Sequence, residues 1–419
     1  MGRTNWAGNL TYGAEALAAP RSVEEVQDLV RGTARLKALG SRHSFNGVAD
    51  TSGTQVSLAA MDRVTGFDAA TGRVTAGGGI LHATLAEALQ REGRALSNLA
   101  SLPHISVVGA AATATHGSGS RIGGLAAQVA GLQIVDGTGR LREITRAGDS
   151  DLLDAIVVGI GALGIVTQVT LDTEPTYDIR QDVFEDLPFA RLEAEFDAIM
   201  GAGHSVSVFT EWAGESARQV WVKSRTRGEL APRGPFHGAR PARCDTNPVP
   251  GAPAVNATPQ MGVPGPWHER LPHFRMGFAP SSGEEIQAEY FVAREDSAAM
   301  IAALRPLGHE MRDALVSSEI RTVAADEPWL SPAARGDRTC AHFTFRRDAA
   351  AVARLLPRIE DALAPLGAVP HWGKVTAMPP ERIAALFPRL RDFREIVRDF
   401  DPEGKFANAF TRRLLEAAA

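Results

Sequence analysis

Apolar positions in the first part of the chain follow two kinds of spacing. Residues 22–34 and 81–93 carry apolar positions at helical spacing, and short β-branched runs such as TQVSL and RVTAGGG lie between and after them. The runs LQIVD and RLREIT are separated by an Asp-Gly and a Gly-Arg pair, which predicts a hairpin. Up to about residue 175 the pattern therefore predicts a compact α+β unit that is rich in glycine turns.

The pattern changes after about residue 175. Runs such as SVSVFTEW, RQVWVKSR and AHFTFRR alternate apolar and polar positions with a period of two, which is typical of antiparallel strands that bury one face. Helical spacing at 297–304 and 348–363 predicts helices packed on one face of that sheet. A segment rich in Pro and Gly, 228–268, interrupts the pattern and is interpreted as a lid or surface loop.

These patterns predict an α+β fold with two domains. The first spans 1–175 and the second, built on an antiparallel sheet, spans 176–375. The last segment, 376–419, carries two helical stretches and a turn-rich end, and we expect it to return to the first domain. A chain of 419 residues exceeds the usual size of a single core, which agrees with this division.

A dinucleotide-binding fingerprint, G-x-G-x-x-G, is present at Gly159, Gly161 and Gly164. In a Rossmann crossover this motif opens a helix whose N-terminus meets the pyrophosphate. Here a β-branched run, IVTQVTL, follows instead, and Glu174 arrives too early for the acidic residue that binds the ribose. The sequence therefore favours a turn between two strands over a Rossmann unit.

Composition narrows the class of protein. The chain is 44% hydrophobic and 22% charged, as in ordinary globular proteins, and it lacks a run long enough for a membrane span. A formal net charge of -5 provides no basic field for nucleic acid. Two cysteines, no metal-binding motif and a start without signal-peptide features favour a reducing compartment, so we expect a cytoplasmic location and no bound metal.

Two segments of the first domain crowd small residues around histidines. GSRHSFN, 40–46, follows a predicted strand and places His43 in a tight turn whose backbone N–H groups could cradle a phosphate. The segment 100–119, ASLPHISVVGAAATATHGSG, lets a flat ligand approach the backbone closely. Taken by itself, His43 is more often a hydrogen-bonded loop histidine than a catalytic one.

The second domain offers a polar strand face. Glu319 and Arg321 share one face of a predicted strand, and His342 and Thr344 share one face of another. This face could bind a polyhydroxylated substrate, or it could be a solvated surface with ion pairs. Lys374, in PHWGKV, is one of only four lysines in an arginine-rich chain, and it could stabilise a developing negative charge.

Several blocks, taken in order, resemble the bacterial alditol oxidases, which lie in the aldonolactone-oxidase branch of the vanillyl-alcohol-oxidase flavoproteins. The blocks are GSRHSFN, the segment 100–119, GALGIVT, EIRTVAAD, AHFT, PHWGKV and KFANAF, and the similarity begins at NWAGN. The resemblance implies a non-Rossmann α+β domain that binds FAD and an antiparallel-sheet substrate (cap) domain. It also implies a covalent bond between His43 and the 8α-methyl group of FAD.

The resemblance assigns site residues by position. The cofactor-binding positions are Leu39, Gly40, Ser41, Arg42, His43, Ser44, Phe45, Asn46, Ser101, Ser106, Gly109, Thr113, Thr115, His116, Gly161, Ile165 and Val166. The substrate-binding positions are Ser101, Glu319, Arg321, Thr344 and Lys374. Arg321 or Lys374 would supply a cation near the reduced flavin, Glu319 would bind a hydroxyl, and His342 would be the base. Arg42 replaces the usual glycine of the family, so a left-handed backbone there would be strained.

The implied reaction is oxidation of the terminal primary alcohol of an alditol such as xylitol or sorbitol to the aldose, with reduction of O2 to H2O2. Two alternatives stay open: an aldonolactone or sugar dehydrogenase that uses another electron acceptor, and a non-catalytic carbohydrate-binding protein. The expected partners are a small polyol and O2, without nucleic acid or membrane, and the expected state is a monomer.

Overall fold

The structure is a computed structural model that describes residues 3–228, 232, 234–277, 284–334 and 336–418. Its strands are β1 Ala16–Ala18, β2 Leu36–Ala38, β3 Thr54–Val56, β4 Val64–Asp68, β5 Arg73–Gly77, β6 Arg94–Ala95, β7 Val129–Asp136, β8 Leu141–Thr145, β9 Gly164–Asp172, β10 Glu174–Pro175, β11 Asp178–Pro188, β12 Ser205–Thr210, β13 Ser216–Arg225, β14 Arg240–Pro241, β15 Gly265–Pro266, β16 Glu285–Ala293, β17 Leu315–Val323, β18 Arg338–Arg346 and β19 Val369–Pro370.

The α-helices are distributed over the same residues. They are α1 Val23–Gly32, α2 His82–Arg91, α3 Val107–Ala112, α4 Ser150–Ile156, α5 Phe189–Ala194, α6 Phe196–Met200, α7 Ser297–Leu304, α8 Gly308–Met311, α9 Ala349–Leu363, α10 Pro380–Leu386, α11 Leu390–Phe400 and α12 Ala409–Ala417. In the part of the chain that the structure describes, no helix is long and apolar enough to cross a bilayer.

The first part of the chain forms two main sheets. A parallel sheet has the order β1-β3-β2, and an antiparallel sheet has the order β4-β5-β9-β7-β8. Helix α1 begins where the Ser22 side chain accepts a hydrogen bond from Glu25 N, and it buries Val26 and Val30 in the core beneath β2 and β3. The predicted hairpin is confirmed, because β7 and β8 are adjacent antiparallel strands.

The glycine fingerprint lies between a helix and a strand. Helix α4 ends at Ile156, and the chain then turns through Ile160 and Gly161, whose φ angles are 44° and 66°. Strand β9 begins at Gly164, where a Cβ would lie 2.3 Å from Val135 O. The motif opens a strand rather than a helix, so the non-Rossmann prediction is confirmed. The predicted turn from strand to strand was wrong, because the preceding element is helical.

The second part of the chain forms a large antiparallel sheet. Its order is β14-β11-β13-β12-β17-β18-β16-β19, with β15 also paired to β11. Helices α7 and α9 contact each other and β16, and they cover the face that carries Ile320, Phe343 and Phe345. The α+β fold and the antiparallel sheet are therefore confirmed. The Pro- and Gly-rich segment contributes β14 and β15 to the sheet edge, although residues 229–231 and 233 lie outside the described residues.

The last segment contacts the first part of the chain. The Asn408 side chain caps α12 and donates hydrogen bonds to the carbonyl oxygens of Gly47, Val48 and Asp50. Lys405 Nζ donates to Val30 O at 2.9 Å. These bonds join the C-terminal end to the region around β2, next to the turn that holds His43.

Candidate active site

A cavity of about 590 Å³ lies between the first sheets and the large sheet. One wall comes from the turn after β2, from the region of α3, and from the turn before β9. The other wall comes from β16, β17 and β18 and from the segment around 371–374. Both sets of residues predicted from the sequence therefore meet at one cavity.

His43 lies on the first wall in a partly exposed turn, and both of its ring nitrogens are buried. Its ring packs between Trp6, with ring centroids 4.6 Å apart, and the edges of Phe45 and His104. Among the described residues neither ring nitrogen has a hydrogen-bond partner. Burial, together with the charge of Lys374, holds the pKa of His43 well below its usual value, so the ring is neutral. A neutral imidazole with a free nitrogen can act as a nucleophile.

The backbone of the His43 turn is strained at one position. Arg42 has a φ angle of 63°, in the left-handed region that glycine adopts freely. The left-handed backbone that the sequence analysis expected to be strained at this position is therefore present. Trp6 N donates a hydrogen bond to Arg42 O at 2.9 Å, which helps to hold the conformation.

Small residues bring two backbones close together on the first wall. A Cβ at either Gly40 or Gly109 would lie 2.5 Å from Ser106 Oγ. Ser106 Oγ is buried and has no partner within the described part of the chain. The other predicted cofactor positions that line the cavity are Leu39, Ser41, Ser44, Ser101, Thr113, Thr115, His116, Gly161, Ile165 and Val166.

Two predicted cofactor positions do not line the cavity. Phe45 lies behind the His43 ring, and Lys374 Nζ lies 4.9 Å from the centre of the Phe45 ring. The Asn46 side chain donates to Trp372 O at 2.9 Å and to Lys374 O at 2.8 Å. Both residues therefore support the turn and the neighbouring segment from behind.

Strands β17 and β18 form the polar wall. Glu319 is directly opposite His342, and both side chains project into the cavity with Arg321 and Thr344. His342 Nε2 lies 3.2 Å from Thr344 Oγ1. Burial lowers the pKa of His342, although the charge of Glu289 acts to raise it. The ring is therefore neutral at pH 7 and can accept a proton. The period-two prediction for these four residues is confirmed as a placement on one face.

Arg321 is held by two buried carboxylates. Its Nη2 lies 2.5 Å from Glu289 Oε1, and its Nε lies 3.6 Å from Glu319 Oε2. Burial alone would raise the pKa of each carboxyl, but the charge of Arg321 and the contacts with neighbouring histidines together outweigh burial and hold both pKa values below their usual range. Both carboxylates are therefore ionised and can only accept hydrogen bonds.

Lys374 lies at the edge of the polar wall. Its Nζ donates a hydrogen bond to Gln287 Oε1. Burial lowers the pKa of Lys374 to about 8, with Glu289 acting in the opposite direction. The side chain therefore carries a positive charge at neutral pH and faces the same cavity as Arg321.

Comparison with known proteins identifies the family. A family profile described as an FAD binding domain matches residues 14–145, and one described as D-arabinono-1,4-lactone oxidase matches residues 284–414. Over 416 residues the chain is 44% identical to an alditol oxidase from Streptomyces sp., and the alignment covers 99% of both chains. The chain belongs to the alditol oxidase family. It is an FAD-dependent oxidoreductase that acts on CH–OH donors, as the sequence predicted.

More distant relatives share the whole length. An L-gulono-1,4-lactone dehydrogenase from Mycobacterium tuberculosis is 26% identical over 428 residues, 98% of each chain. Among solved structures, a solvent-stable cholesterol oxidase superposes with a TM-score of 0.78 at 15% identity, covering 98% of this chain and 97% of its own. The likeness to the cholesterol oxidase concerns the fold alone, and it confirms the predicted two-domain flavoprotein fold for this member of the alditol oxidase family.

The described residues fit FAD on structural grounds. His43 offers a buried nitrogen without a partner. Next to Ser106, Gly40 and Gly109 have no Cβ atom, so a ligand can approach their backbone closely. The cavity connects both places to the polar wall. His116, Glu289 and Cys340 are close enough to hold an ion, but the Arg321 guanidinium already neutralises Glu289.

Sequence reasoning missed four residues of the polar wall. Gln287 and Glu289 on β16 are directly opposite Thr344 and His342 on β18, and all four side chains line the cavity. The alternation in EEIQAEYFVAR contained this signal, because positions 285, 287 and 289 share one face. His273 and His371 also line the cavity. They lie in irregular segments, so no periodicity could have indicated them.

Proposed function

We propose that this chain oxidises the terminal primary alcohol of an alditol, such as xylitol or sorbitol, to the aldose, and reduces O2 to H2O2. The observation that carries the proposal is the single cavity that joins a free, neutral His43 on one wall to the polar groups of β17 and β18 on the other. His43 and the small residues around Ser106 would hold the flat cofactor, and the groups of β17 and β18 would bind the substrate.

His43 is the proposed point of covalent attachment for FAD. The neutral imidazole offers a buried nitrogen lone pair, and no described side chain competes for that nitrogen. The new N–C bond would replace one C–H bond of the 8α-methyl group, and O2 would accept the two electrons and, as H2O2, the two protons released. The backbone around Gly40 and Gly109 leaves room for close approach. Bound FAD supplies the two-electron acceptor for the hydride of the alcohol carbon.

The polar wall binds and orients the alditol. Ionised Glu319 accepts a hydrogen bond from a substrate hydroxyl, and Ser101 and Thr344 contribute further hydroxyl contacts. His342 is neutral and lies beside Thr344, so it can take the hydroxyl proton as the alcohol is oxidised. Arg321 or Lys374, which both face the cavity, would supply the positive charge that stabilises the reduced cofactor.

The proposal is tested on the purified protein in three steps. The visible spectrum reports the flavin, and colour that stays with acid-precipitated protein reports a covalent link. Addition of xylitol or sorbitol without oxygen should bleach the flavin, and admission of air should restore the colour and release one H2O2 for each alditol oxidised. Each step has a clear negative outcome.

The negative outcomes separate the alternatives. Bleaching without peroxide in air would favour a sugar or aldonolactone dehydrogenase that uses another acceptor. Polyol affinity without bleaching would favour a carbohydrate-binding protein. The cytoplasmic location and the monomeric state stay predictions, and size-exclusion chromatography with light scattering tests the second of them.

A further inference from the structure

A buried chain of three side chains ends at the proposed hydroxyl-binding carboxylate. Lys223 on β13 is 1% exposed, His273 is 5% exposed and Glu319 on β17 is 6% exposed. Lys223 Nζ lies 3.1 Å from His273 Nδ1, and His273 Nε2 lies 2.9 Å from Glu319 Oε1. We call these three residues the lysine–histidine–glutamate chain.

Hydrogen-bond accounting assigns each proton in this chain. Burial lowers the pKa of Lys223 to about 7, so below neutral pH its Nζ is an ammonium group, whose three donors go to Leu271 O, Pro272 O and His273 Nδ1. His273 Nδ1 therefore accepts. Glu319 is ionised, so His273 Nε2 must donate to it. Burial, followed by the charge of Lys223, lowers the pKa of His273 to about 4, and this agrees with a neutral ring.

The same segment also supports the Ser101 backbone. His273 N donates to Ser101 O at 3.1 Å, and Phe274 N lies 3.4 Å from the same oxygen. The segment around His273 thus contacts two of the residues that the proposed function assigns to hydroxyl binding. Lys223 holds this segment in place, because its Nζ donates hydrogen bonds to the carbonyl oxygens of Leu271 and Pro272.

We infer that Lys223 and His273 are positioning residues that hold Glu319 in the orientation in which it accepts the substrate hydroxyl. The inference rests on the proposed function, because it concerns the substrate contact assigned there. One oxygen of Glu319 is occupied by His273 and the other faces Arg321 Nε at 3.6 Å. His273 therefore holds Oε1 of the carboxylate by a hydrogen bond, and Oε2 has a longer electrostatic contact with the Arg321 guanidinium.

Two variants of His273 separate positioning from packing. The ring packs against the edges of Phe209 and Trp221, with centroids 5.3 and 5.5 Å away. His273→Phe keeps an aromatic ring in that place and removes both hydrogen bonds. His273→Gln removes the ring but offers an oxygen to Lys223 and an amide N–H to Glu319. If His273 acts through its hydrogen bonds, His273→Phe should impair substrate binding and His273→Gln should not. If the ring acts only through packing, the opposite result is expected.

Steady-state kinetics with xylitol is the first readout, after the flavin content of each variant has been equalised by absorbance. We expect His273→Phe to raise KM about 10- to 100-fold with a smaller change in kcat, because a charge-assisted contact to the binding carboxylate is lost. His273→Gln should stay within about threefold of the parent in KM. A normal KM in His273→Phe together with a raised KM in His273→Gln would overturn the inference in favour of packing.

A second readout does not need turnover. The chain has four lysines, Lys37, Lys223, Lys374 and Lys405, so selective 15N labelling of lysine yields a side-chain spectrum that is simple to assign. Lys223→Met identifies the Lys223 Nζ signal. We expect this signal to shift in His273→Phe and to hold its position in His273→Gln, because only the second variant keeps a side-chain acceptor for the third N–H of the ammonium.

The two readouts distinguish the two proposals. If the parent protein oxidises no polyol, the proposed function fails and the role of Glu319 in hydroxyl binding fails with it, while the lysine spectrum still decides whether Lys223 is hydrogen-bonded to His273. A Lys223 signal that moves only in His273→Phe supports the lysine–histidine–glutamate chain. A signal that is the same in both variants and in the parent overturns it.

Discussion

Replacement of Glu289 by glutamine should reveal how much the buried charge network stabilises the protein. Glu289 is 1% exposed, and its Oε1 accepts hydrogen bonds from Arg321 at 2.5 Å and from His116 at 3.1 Å. The amide keeps one acceptor but removes the charge, which leaves Arg321 with Glu319 as its nearest carboxylate at 3.6 Å. Removal of one partner from a buried ion pair lowers the free energy of unfolding by about 3–5 kcal/mol. Because the glutamine keeps an acceptor oxygen, we expect Glu289→Gln to lower it by about 3 kcal/mol.

Glu360 provides a matched control. It is also a buried carboxylate near the large sheet, but its Oε1 accepts from neutral donors, namely Tyr290 OH, Thr376 Oγ1 and Ala377 N. A glutamine can keep all three contacts, so Glu360→Gln should cost about 1 kcal/mol or less. Among the residues that the structure describes, no cation forms an ion pair with the Glu360 carboxylate, so none loses a partner in this variant.

Urea unfolding of the flavin-loaded proteins, followed by circular dichroism, measures the difference. The shift in midpoint multiplied by a common m value gives the change in the free energy of unfolding. If Glu289→Gln is no less stable than Glu360→Gln, the argument that Arg321 depends on Glu289 is wrong. Because Arg321 faces the proposed substrate, we also expect Glu289→Gln to lower kcat/KM for xylitol.

Three further predictions concern the first wall and the buried histidines. His43→Ala should lose the flavin from acid-precipitated protein, and colour that stays in the pellet would refute the proposed attachment at His43. Arg42→Gly should relieve a left-handed backbone, which costs about 1–2 kcal/mol in a residue other than glycine. The greater conformational entropy of glycine in the unfolded chain offsets about 0.5–1 kcal/mol of this gain, so the thermal midpoint should rise slightly. A lower midpoint would contradict this reasoning. Burial lowers the pKa of His82 to about 4, so the unfolded chain binds more protons between about pH 6.5 and 4, and stability falls as the pH falls through that range. His82→Leu should reduce this loss by up to about 3 kcal/mol at pH 4, measured by urea unfolding at pH 7 and pH 4, and an unchanged pH dependence would show that His82 does not cause it.

Local patterns in the sequence determined the elements and the faces of the strands. The period of two placed Glu319 with Arg321 and His342 with Thr344, because side-chain alternation is a property of a single strand. The β-branched run after Gly164 likewise excluded a Rossmann helix, because those side chains favour a strand. The small residues around His43 indicated a close approach of backbones for a similar local reason.

The tertiary structure alone decided which groups meet. Glu289 became part of the polar wall because β16 pairs with β18 in a register that puts it opposite His342, and alternation within a strand contains no information about register between strands. Lys223 and His273 come together because an irregular segment packs on β13, which no periodicity describes. The sequence by itself determined the chemistry of each face, and the long-range packing of sheets and loops decided the charge balance and the orientation of the groups that this chemistry needs.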